Sequence, residues 1–502
     1  MNIIFNSKQT QAIQKLNQFA LQNTDKYFYL FGYAGTGKTL LISKFVIESL
    51  TNGILECAYI CAPTHVALNI LESYFKSILI SDEQKLLLNR IHFMTIHRLL
   101  EFKATISNET GSKVFKSIKE SKYLKNIASR LVIIDECSMI PASMVTEIDK
   151  YTQLYNLKVI FLGDEAQLPP VSEAKSIVFT RVPANYAYHI VLDEIMRTNS
   201  ISIKLVSKTI REWNSDTTKF VCLVKMFVPI HKAKSTPKTF KMYHKGPTHE
   251  TSTWFKNFIL KIKSGNIPII LTWRNPTADN YNKLIRQHIH QTSDLENYKV
   301  GDYIRFNNFY ASPEIGDIPS GRFYTATAIK IIELTTKKKN LIDWQTIKLD
   351  SPSSPTERAY NILLKKLNKF GTTFLIDRLT VNKIDSKLDD QAYIVNTINR
   401  SNLFEYIELL KTVKSNLKFF FSKYKSEKIS SILWKTFHKD LIDPYAELNF
   451  GYSITTHKAQ GSTFDTVVVD VEDIVMNPDV SEVQRALYTA STRASNELGL
   501  LL

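Results

Sequence analysis

The sequence predicts an α/β protein with parallel sheets. Short runs of apolar and β-branched residues end in polar residues, as in KYFYLFG, CAYICAPT, SRLVIIDE and LKVIFLGD. Stretches with helical periodicity lie between these runs, and this alternation of strands and helices is typical of parallel sheets. The length of 502 residues indicates roughly three domains of about 150 residues each. In such folds the loops at the carboxyl ends of the strands carry function.

Composition limits the classes of protein to which the chain can belong. The hydrophobic fraction of 44% is enough for several buried cores and excludes global disorder. The net charge is +16, and a protein this basic usually binds a polyanion, with nucleic acid the first candidate. Four cysteines give no disulfide framework, and no signal peptide or membrane-spanning run is evident. We therefore expect a soluble intracellular protein, in the cytoplasm or nucleoid, without a membrane partner.

Changes of pattern along the chain divide it into segments. A polar, glycine-bearing stretch near 101–127 indicates a protruding hairpin. Strand–helix units restart at 267–287 and 449–473, which predicts a second α/β domain interrupted by an insertion. The predicted boundaries are 1–84 and 128–200 for the first domain, 85–127 for the hairpin insertion, 201–299 and 450–502 for the second domain, and 300–449 for the inserted domain.

The segment GYAGTGKT matches the phosphate-binding pattern G-x-x-x-x-G-K-[ST] between a strand and a helix. Glycines let backbone N–H groups close around phosphates. The lysine would neutralise the β- and γ-phosphates, and the following threonine hydroxyl would reach Mg²⁺. The predicted nucleotide-binding residues are Gly35, Thr36, Gly37, Lys38 and Thr39.

An acidic pair follows the strand-like run LVII. Asp135 stands at the strand end, where it can hold Mg²⁺ through water, and Glu136 can polarise an attacking water molecule. Gln167 follows a further strand in FLGDEAQLPPV, and a glutamine there can contact both a γ-phosphate oxygen and a neighbouring domain. With the phosphate-binding segment, these residues predict hydrolysis of ATP.

Two arginines are candidates for the positive charge that phosphoryl transfer needs. Arg197 lies in LDEIMRTN and Arg493 lies in ALYTASTRAS. Such a charge often reaches the transition state across a domain cleft. Either arginine alone would be interpreted as a surface charge, so their assignment depends on the whole set of motifs.

The ordered set of motifs resembles that of a known enzyme family. In chain order the motifs are FNSKQTQAI, GYAGTGKT, CAPTHVAL, FMTIHRLL, IIDECSM, GDEAQLPPV, LDEIMRT, ILTWRNPTADNYN, YSITTHKAQGSTFD and ALYTASTRAS. The series is similar to that of superfamily 1B DNA helicases, the Dda-like and RecD-like 5′→3′ branch. The resemblance runs from residue 5 to about 495 and is weakest across 325–445.

The resemblance implies roles for residues at matching positions. Gln9 resembles the glutamine that reads adenine, Gln167 a γ-phosphate sensor, and Arg197 and Arg493 the arginine fingers. The loop that contains Gln460 and Gly461 would lie at the ATP cleft. The residues that would contact single-stranded DNA are Pro63, Thr64, His65, Thr95 and His97 from the first domain, and Trp273, Arg274, Asn275, Thr455, Thr456 and His457 from the second. Independently, polar side chains at strand ends can bond phosphates, and a tryptophan can stack on bases at about 1–3 kcal/mol each.

The resemblance also implies an architecture and an activity. Two RecA-like domains would hold ATP and Mg²⁺ between them, with an inserted β-hairpin pin and an inserted β-barrel plus helical domain. Phe102 and Phe115 would be either aromatics of the pin tip or ordinary hairpin packing. The expected activity is ATP-dependent 5′→3′ translocation on single-stranded DNA with unwinding of forked duplex DNA. The expected protein is a monomer that serves replication, repair or recombination, with proteins of those processes as partners.

Two alternatives stay open at this stage. An RNA helicase of the same superfamily would use the same strand chemistry, because these motors hold mostly the backbone of the strand. A nucleic-acid-binding scaffold with an inactive phosphate loop would keep the basic charge without turnover. Two positions depart from the family pattern, Tyr33 in the phosphate loop and Ser491 near the second arginine, and neither removes a reacting group.

Overall fold

The computed structural model describes residues 5–79, 81–116, 131–213, 220–232, 239–245, 252–293, 295, 297–384 and 391–502. The chain divides into two compact units. The first unit comprises Met1–Phe102, Ser117–Tyr281 and Tyr452–Leu502, and the second comprises Lys103–Lys116 and Asn282–Gly451.

The N-terminal part of the chain alternates strands and helices. Its strands are β1 (Tyr27–Gly32), β2 (Ala58–Ala62), β3 (Ile91–Thr95), β4 (Lys103–Ile106), β5 (Lys113–Lys116), β6 (Leu131–Ile134), β7 (Lys158–Gly163) and β8 (His189–Leu192). Its helices are α1 (Ser7–Leu21), α2 (Lys38–Thr51), α3 (His65–Ile78), α4 (Asp82–Leu87), α5 (Ile96–Leu99), α6 (Ala142–Tyr155) and α7 (Ile177–Thr180).

The remaining elements follow in chain order. The helices are α8 (Ile201–Glu212), α9 (Phe220–Lys232), α10 (Thr253–Lys263), α11 (Asn275–His290), α12 (Pro355–Leu367), α13 (Leu403–Tyr424), α14 (Glu427–Thr436), α15 (Thr456–Ala459), α16 (Val471–Val475) and α17 (Val480–Ser491). The strands are β9 (Phe240–Tyr243), β10 (Ile269–Thr272), β11 (Tyr303–Phe306), β12 (Tyr310–Ala311), β13 (Arg322–Phe323), β14 (Ala328–Asn340), β15 (Thr373–Lys383), β16 (Ala392–Ile398), β17 (Leu448–Phe450), β18 (Ser453–Thr455), β19 (Phe464–Asp470) and β20 (Ala494–Leu501).

The first unit contains two parallel sheets. One has the strand order β3-β2-β6-β7-β1-β8, and we call the part of the unit built on it the first lobe. Alternate residues of β1 point to opposite faces, so Phe28 and Leu30 join one core while Tyr29 and Phe31 join another. Burial on both faces explains why its strands are continuous apolar runs. The α/β prediction with parallel sheets is confirmed.

The second parallel sheet has the order β18-β10-β19-β20-β9, and we call the part built on it the second lobe. Its core contains Ile269, Leu271 and Val467 from the sheet strands. Ala34 and Leu168 of the first lobe are buried in the same cluster. The two lobes therefore share apolar packing beside the predicted nucleotide site.

The second unit is built on an antiparallel sheet of order β16-β15-β14-β11-β17, packed with α12, α13 and α14. Where a β-barrel was expected, the described strands form an open sheet whose edges are β16 and β17. The hairpin β4–β5 belongs to this unit, because Ile106 packs against its core. The predicted 85–127 insertion begins too early, since β3 pairs with β2 inside the first sheet. Its last part, residues 117–127, lies outside the described residues.

Among the helices that the structure describes, none combines the length and apolar character that crossing a membrane requires.

Candidate ATP site and nucleic-acid interface

The phosphate loop joins the end of β1, at Gly32, to the start of α2, at Lys38. Gly35 and Gly37 have φ angles of 79° and 81°, in the left-handed region that glycine adopts without steric cost. A Cβ on Gly35 would lie 2.5 Å from the Cβ of Arg197, so a side chain there is excluded twice over. No side chain caps the start of α2 at Gly37, and the first N–H groups of a helix lack partners within it, so this end of the helix suits an anion.

The Lys38 ammonium lies inside the loop. It donates to the carbonyl oxygens of Gly32, at 2.8 Å, and Tyr33, at 3.0 Å. Burial lowers the pKa of Lys38, and nearby carboxylates, Asp164 and Asp135 foremost, oppose that shift. The ammonium is therefore positioned where bound phosphates would meet it.

The acidic pair follows β6 as predicted. Burial raises the pKa of Asp135 to about 7, with the Glu136 charge adding to the shift and a hydrogen bond from the Thr39 side chain opposing it. Glu136 has a φ of 53°, an uncommon backbone conformation, and its N–H donates to Asp135 Oδ1 at 2.8 Å. Hard cations prefer oxygen ligands, so Thr39 and Asp135 offer the donor set that magnesium takes. Burial disfavours the ionised form of Asp135, and a divalent cation bound beside it would favour that form.

The Asp135 environment predicts a pH-dependent stability. Its pKa is higher in the folded protein than the ordinary 3.8, so the folded state binds more protons between about pH 4 and pH 7, and stability falls as pH rises through that window. Asp135→Asn should raise the melting temperature by several °C at pH 8 and by clearly less at pH 5, where only part of the penalty for keeping the carboxyl protonated is present. Thermal unfolding in EDTA without nucleotide measures this, and equal shifts at both pH values would contradict it.

Arg197 reaches the phosphate loop from the segment after β8. Its backbone N–H donates to Gly35 O at 2.9 Å, and its Nη1 donates to Thr492 O at 2.9 Å. Burial lowers the pKa of Arg197, and the charge of Glu136 opposes the shift. Arg197 thus links the phosphate loop to the segment that precedes Arg493.

Arg493 brings a second guanidinium to the same place. It is 1% exposed, and its donors reach Thr489 O, Ser462 O and, at 3.4 Å, Gln167 Oε1. Burial lowers the pKa of Arg493 to about 10, and repulsion from Arg197 contributes. The predicted γ-phosphate sensor and both predicted arginine fingers therefore converge.

Gln9 lies beside the phosphate loop. Its Nε2 donates to Thr36 O at 3.0 Å, and its Oε1 accepts from the Asn6 N–H at 3.1 Å. The second bond completes a capping box at the start of α1. Each side-chain group keeps one further bonding position, which adenine could use.

Gln460 and Gly461 contact the first lobe. Gln460 Nε2 donates to Ser138 Oγ at 3.3 Å and to Leu168 O at 3.4 Å. A Cβ on Gly461 would lie 3.7 Å from the Cβ of Ala67. Gln460 thus bonds to the segments next to Glu136 and Gln167, and its bonds are not to the phosphate loop.

The first-lobe residues predicted for nucleic acid come from the ends of neighbouring strands. Pro63 and Thr64 follow β2, whereas Thr95 ends β3. Thr64 and Thr95 cap α3 and α5, each accepting a backbone N–H, so their hydroxyls shape the loops. Burial lowers the pKa values of His65 and His97, and His97 and Arg98 add to the effect on His65. Both imidazoles are therefore neutral at pH 7.

The second-lobe loop Trp273–Asn275 is organised by a residue that sequence reasoning missed. Asp473 is 2% exposed and accepts from the N–H groups of Trp273 and Arg274, from Arg274 Nε and from Thr277 Oγ1, at 2.6–2.9 Å. Those bonds lower the pKa of Asp473 against the opposing effect of burial. The Arg274 guanidinium is thus held by Asp473. The sequence signal for Asp473 was an acidic residue three positions after the end of an apolar strand, in the stretch VVVDVED.

Of the three consecutive residues at 455–457 that were predicted to contact nucleic acid, only His457 is exposed. Thr455 is 6% exposed, and Thr456 is fully buried with its hydroxyl donating to Thr272 O at 3.1 Å. The prediction that Thr456 faces nucleic acid is therefore wrong, because its side chain ties the start of α15 to the end of β10. His457 Nε2 lies 3.7 Å from Glu482 Oε1, and burial lowers the pKa of His457.

Family models match both lobes. The AAA domain model matches residues 4–221, and the UvrD-like helicase C-terminal domain model matches residues 450–501. Together they cover more than half of the chain. An uncharacterized protein of Acanthamoeba polyphaga mimivirus is 48% identical over 503 residues, covering 99% of this chain and 100% of that protein. The chain belongs to the helicases that combine an AAA domain with a UvrD-like C-terminal domain. It is an ATP-driven helicase, which confirms the predicted helicase family and enzyme class.

More distant relatives of this helicase are named for the same class. The RecBCD enzyme subunit RecD of Buchnera aphidicola is 23% identical over 525 residues, covering 100% of this chain and 74% of the relative. A crystal structure of Pif1 helicase from Candida albicans has a TM-score of 0.47 at 16% identity, covering 99% of this chain and 94% of that one. A Bacteroides Pif1 helicase in complex with ADP-AlF3 and ssDNA has a TM-score of 0.46 at 14% identity, covering 99% and 92%.

The helicase's hairpin carries neither predicted aromatic at its turn. The turn spans residues 107–112, whereas Phe102 precedes β4 and packs against the first-lobe core, with its ring 5.7 Å from that of His97. Phe102 is therefore packing and not a pin tip. Phe115 lies in β5 opposite Ala104, and its side chain lies outside the described residues.

Proposed function

We propose that this helicase acts on DNA and translocates 5′→3′ along a single strand, unwinding a fork ahead of it. The convergence of Arg197 and Arg493 with Gln167 in one buried site supports a motor driven by ATP, because such a site closes only when both lobes meet. The choice of DNA and the 5′→3′ direction rest on the resemblance of the ordered motifs. The charge of +16 supports a polyanionic track.

The site's own residues account for hydrolysis. The phosphate loop and Lys38 hold the β- and γ-phosphates, and Glu136 orients a water molecule and takes its proton as it attacks the γ-phosphorus. The bond from phosphorus to the β,γ-bridging oxygen then breaks, and ADP leaves. Arg197 and Arg493 stabilise the charge that develops on the transferring oxygens. Thr39 and Asp135 would hold Mg²⁺, which supplies further neutralising charge when bound.

Contacts of one short segment suggest how strand binding reaches the chemistry. α15 begins at Thr456 and exposes His457, and the helix ends just before Gln460. Gln460 bonds Ser138, close to Glu136 in the chain. A strand that displaces His457 would shift Gln460 and thereby the position of Glu136. Hydrolysis would in this way depend on an occupied track.

The direction of movement is tested with forked substrates. Equal amounts of protein are given forks with only a 5′ single-stranded tail or only a 3′ tail, and strand displacement is measured with ATP. We expect displacement on the 5′-tailed fork alone, and displacement confined to the 3′-tailed fork would refute the direction. In parallel, ATP hydrolysis should rise more with poly(dT) than with poly(U), whereas the reverse order would favour an RNA track.

We propose that the β4–β5 hairpin separates the strands of the duplex. Its contacts with the rest of the second unit support this proposal, because a pin that splits a duplex must be held rigidly. Within the second unit, Trp434 Nε1 donates to Asn108 O at 3.0 Å, and Lys113 Nζ lies 2.9 Å from Asp443 Oδ1. His438 Nε2 lies 2.9 Å from Gly111 O. Three polar contacts from α14 and the segment after it hold the hairpin at its turn and at the start of β5.

Gly111 offers a test of that docking. Its φ is 67°, and a Cβ there would lie 2.2 Å from the ring of Trp434. Gly111→Ala should undock the turn, because overpacking costs about 1–3 kcal/mol, and should reduce fork unwinding severalfold while leaving stimulated ATP hydrolysis within about twofold. Gly53→Ala is the matched control, since Gly53 has a φ of 70° with nothing within 4 Å. Equal unwinding by the two variants would contradict a role for docking.

A further inference from the structure

A buried cluster of three side chains joins the lobes outside the residues already assigned. Asp164 follows β7 in the first lobe, whereas Arg211 lies on α8 and Tyr488 on α17. Asp164 and Tyr488 are 0% exposed. Tyr488 donates to Asp164 Oδ2 at 2.8 Å, and Arg211 Nη1 donates to Asp164 Oδ1. The cluster crosses between lobes at the nucleotide site.

The Tyr488 hydroxyl has every bonding position filled. It donates to Asp164 and accepts from Arg211 Nη1 at 3.1 Å. Its second acceptor position takes the backbone N–H of Ala34, inside the phosphate loop, at 3.0 Å. The Arg211 guanidinium lies 3.9 Å from the centre of the Tyr33 ring. Tyr488 and Arg211 therefore both contact the phosphate loop from the second lobe. Arg211 does so at Tyr33, where the loop departs from its family pattern.

Charge explains why the cluster is coupled to the reacting groups. Burial lowers the pKa values of Lys38, Arg197 and Arg493, and the charge of Asp164 opposes the shift in all three, so this carboxylate acts on each of these cations of the ATP site. Burial alone would lower the pKa of Arg211, and Asp164 outweighs it so that the pKa is raised. Burial also raises the pKa of Tyr488. The hydroxyl stays protonated and can donate at any physiological pH.

We propose that Tyr488, Asp164 and Arg211 form a hydrogen-bonded clasp that fixes α17 against the phosphate loop and so positions Arg493 for ATP hydrolysis. The three are positioning residues, because they act through Arg493 and the loop. Arg493 follows α17 closely in the chain, so a small rotation of that helix moves its guanidinium away from Gln167. This inference rests on the proposed hydrolysis at the same site.

The chain provides a matched cluster of the same chemistry. Tyr27 donates to Asp149 Oδ1 at 2.7 Å, and Arg181 Nη1 donates to the same oxygen at 2.7 Å. The Arg181 guanidinium lies 4.5 Å from the centre of the Tyr27 ring. All three residues belong to the first lobe, and Tyr27 starts β1 at the end opposite Gly32. Loss of the Tyr27 hydroxyl removes a comparable hydrogen bond at a place away from the boundary between the two lobes.

The test compares Tyr488→Phe with Tyr27→Phe in the full chain. ATP hydrolysis is measured with saturating poly(dT) over a range of ATP concentrations, and thermal unfolding is recorded for each variant. Because a misplaced catalytic group can cost about 10²-fold, Tyr488→Phe should lower kcat by at least about tenfold with KM changed by less than about twofold. Tyr27→Phe should leave both near wild type. Equal kcat values for the two variants would overturn the clasp.

A second variant covers the case in which Tyr488→Phe does not fold. Arg211→Gln should give the same loss of kcat with little change in KM, and an unchanged kcat would overturn the inference. Where both singles fold, the double variant should be no slower than the slower single, because residues of one network are not additive. If the kcat losses of the two single variants multiplied in the double variant, the result would count against a single clasp. A wild-type protein without hydrolysis refutes the proposed function as well, whereas an active wild type with an active Tyr488→Phe refutes the clasp alone.

Discussion

Arg493→Ala is expected to slow nucleic-acid-stimulated ATP hydrolysis by about 10³-fold or more. An arginine that stabilises the transferring phosphoryl group is worth about 10³–10⁵ in kcat. Arg493 is 1% exposed and reaches Gln167, so its charge acts in a site without bulk water. Single-turnover hydrolysis with saturating poly(dT) measures the chemical step directly.

Two companion variants separate catalysis from structure. Arg485→Ala removes an arginine of α17 whose Nη1 donates to Glu165 O at 3.1 Å, and it should retain most of the activity. Arg493→Lys keeps a cation but loses the planar fork, so an intermediate rate is expected. A rate for Arg493→Ala within about tenfold of wild type would exclude a finger role, since it falls far short of the loss that such an arginine gives.

Residues of the ATP site were predictable because each motif is local. A strand, a glycine turn and a helix start fix where Lys38 and Thr39 lie, and a strand end fixes Asp135. These short segments need no knowledge of distant contacts. The structure brings them together with Gln167 and both arginines, as the order of the motifs indicated.

Contacts between distant segments were not predictable in the same way. Tyr488, Arg211 and Asp473 are ordinary residues of helices, and only the packing of elements far apart in the chain gives them partners. Thr456 shows the converse error, since a threonine in a polar motif is buried and bonds the start of α15 to the end of β10.

Boundaries failed where one element serves two patterns. The strand β3 looked like part of a hairpin insertion, yet it pairs with β2 at the edge of the first sheet. At this edge of the sheet His92 and Phe93 are only partly buried, so the apolar pattern of β3 is weaker than that of the central strands. The hairpin then begins at β4, and Phe102 moves from the pin to the core.

Lys38→Ala is expected to abolish ATP turnover while leaving single-stranded DNA binding intact. The ammonium now bonds the carbonyls of Gly32 and Tyr33, and a phosphate would compete for the same donors. Its removal takes the only lysine charge out of the phosphate loop, where the β- and γ-phosphates would bind, and this should cost at least about 10²-fold in kcat. ATP hydrolysis and the fluorescence anisotropy of a labelled oligo(dT) measure the two properties separately.

Lys44→Ala provides the matched control on the same helix. Lys44 Nζ lies 3.5 Å from Glu48 Oε1 at the surface, so its loss should change turnover by less than about twofold. A scaffold with an inactive phosphate loop predicts a different result, namely no turnover in wild type and no difference among the three proteins. Turnover in wild type and Lys44→Ala, with none in Lys38→Ala and equal oligo(dT) binding by all three, would exclude the scaffold. Loss of oligo(dT) binding in Lys38→Ala would instead make the phosphate loop part of the nucleic-acid track.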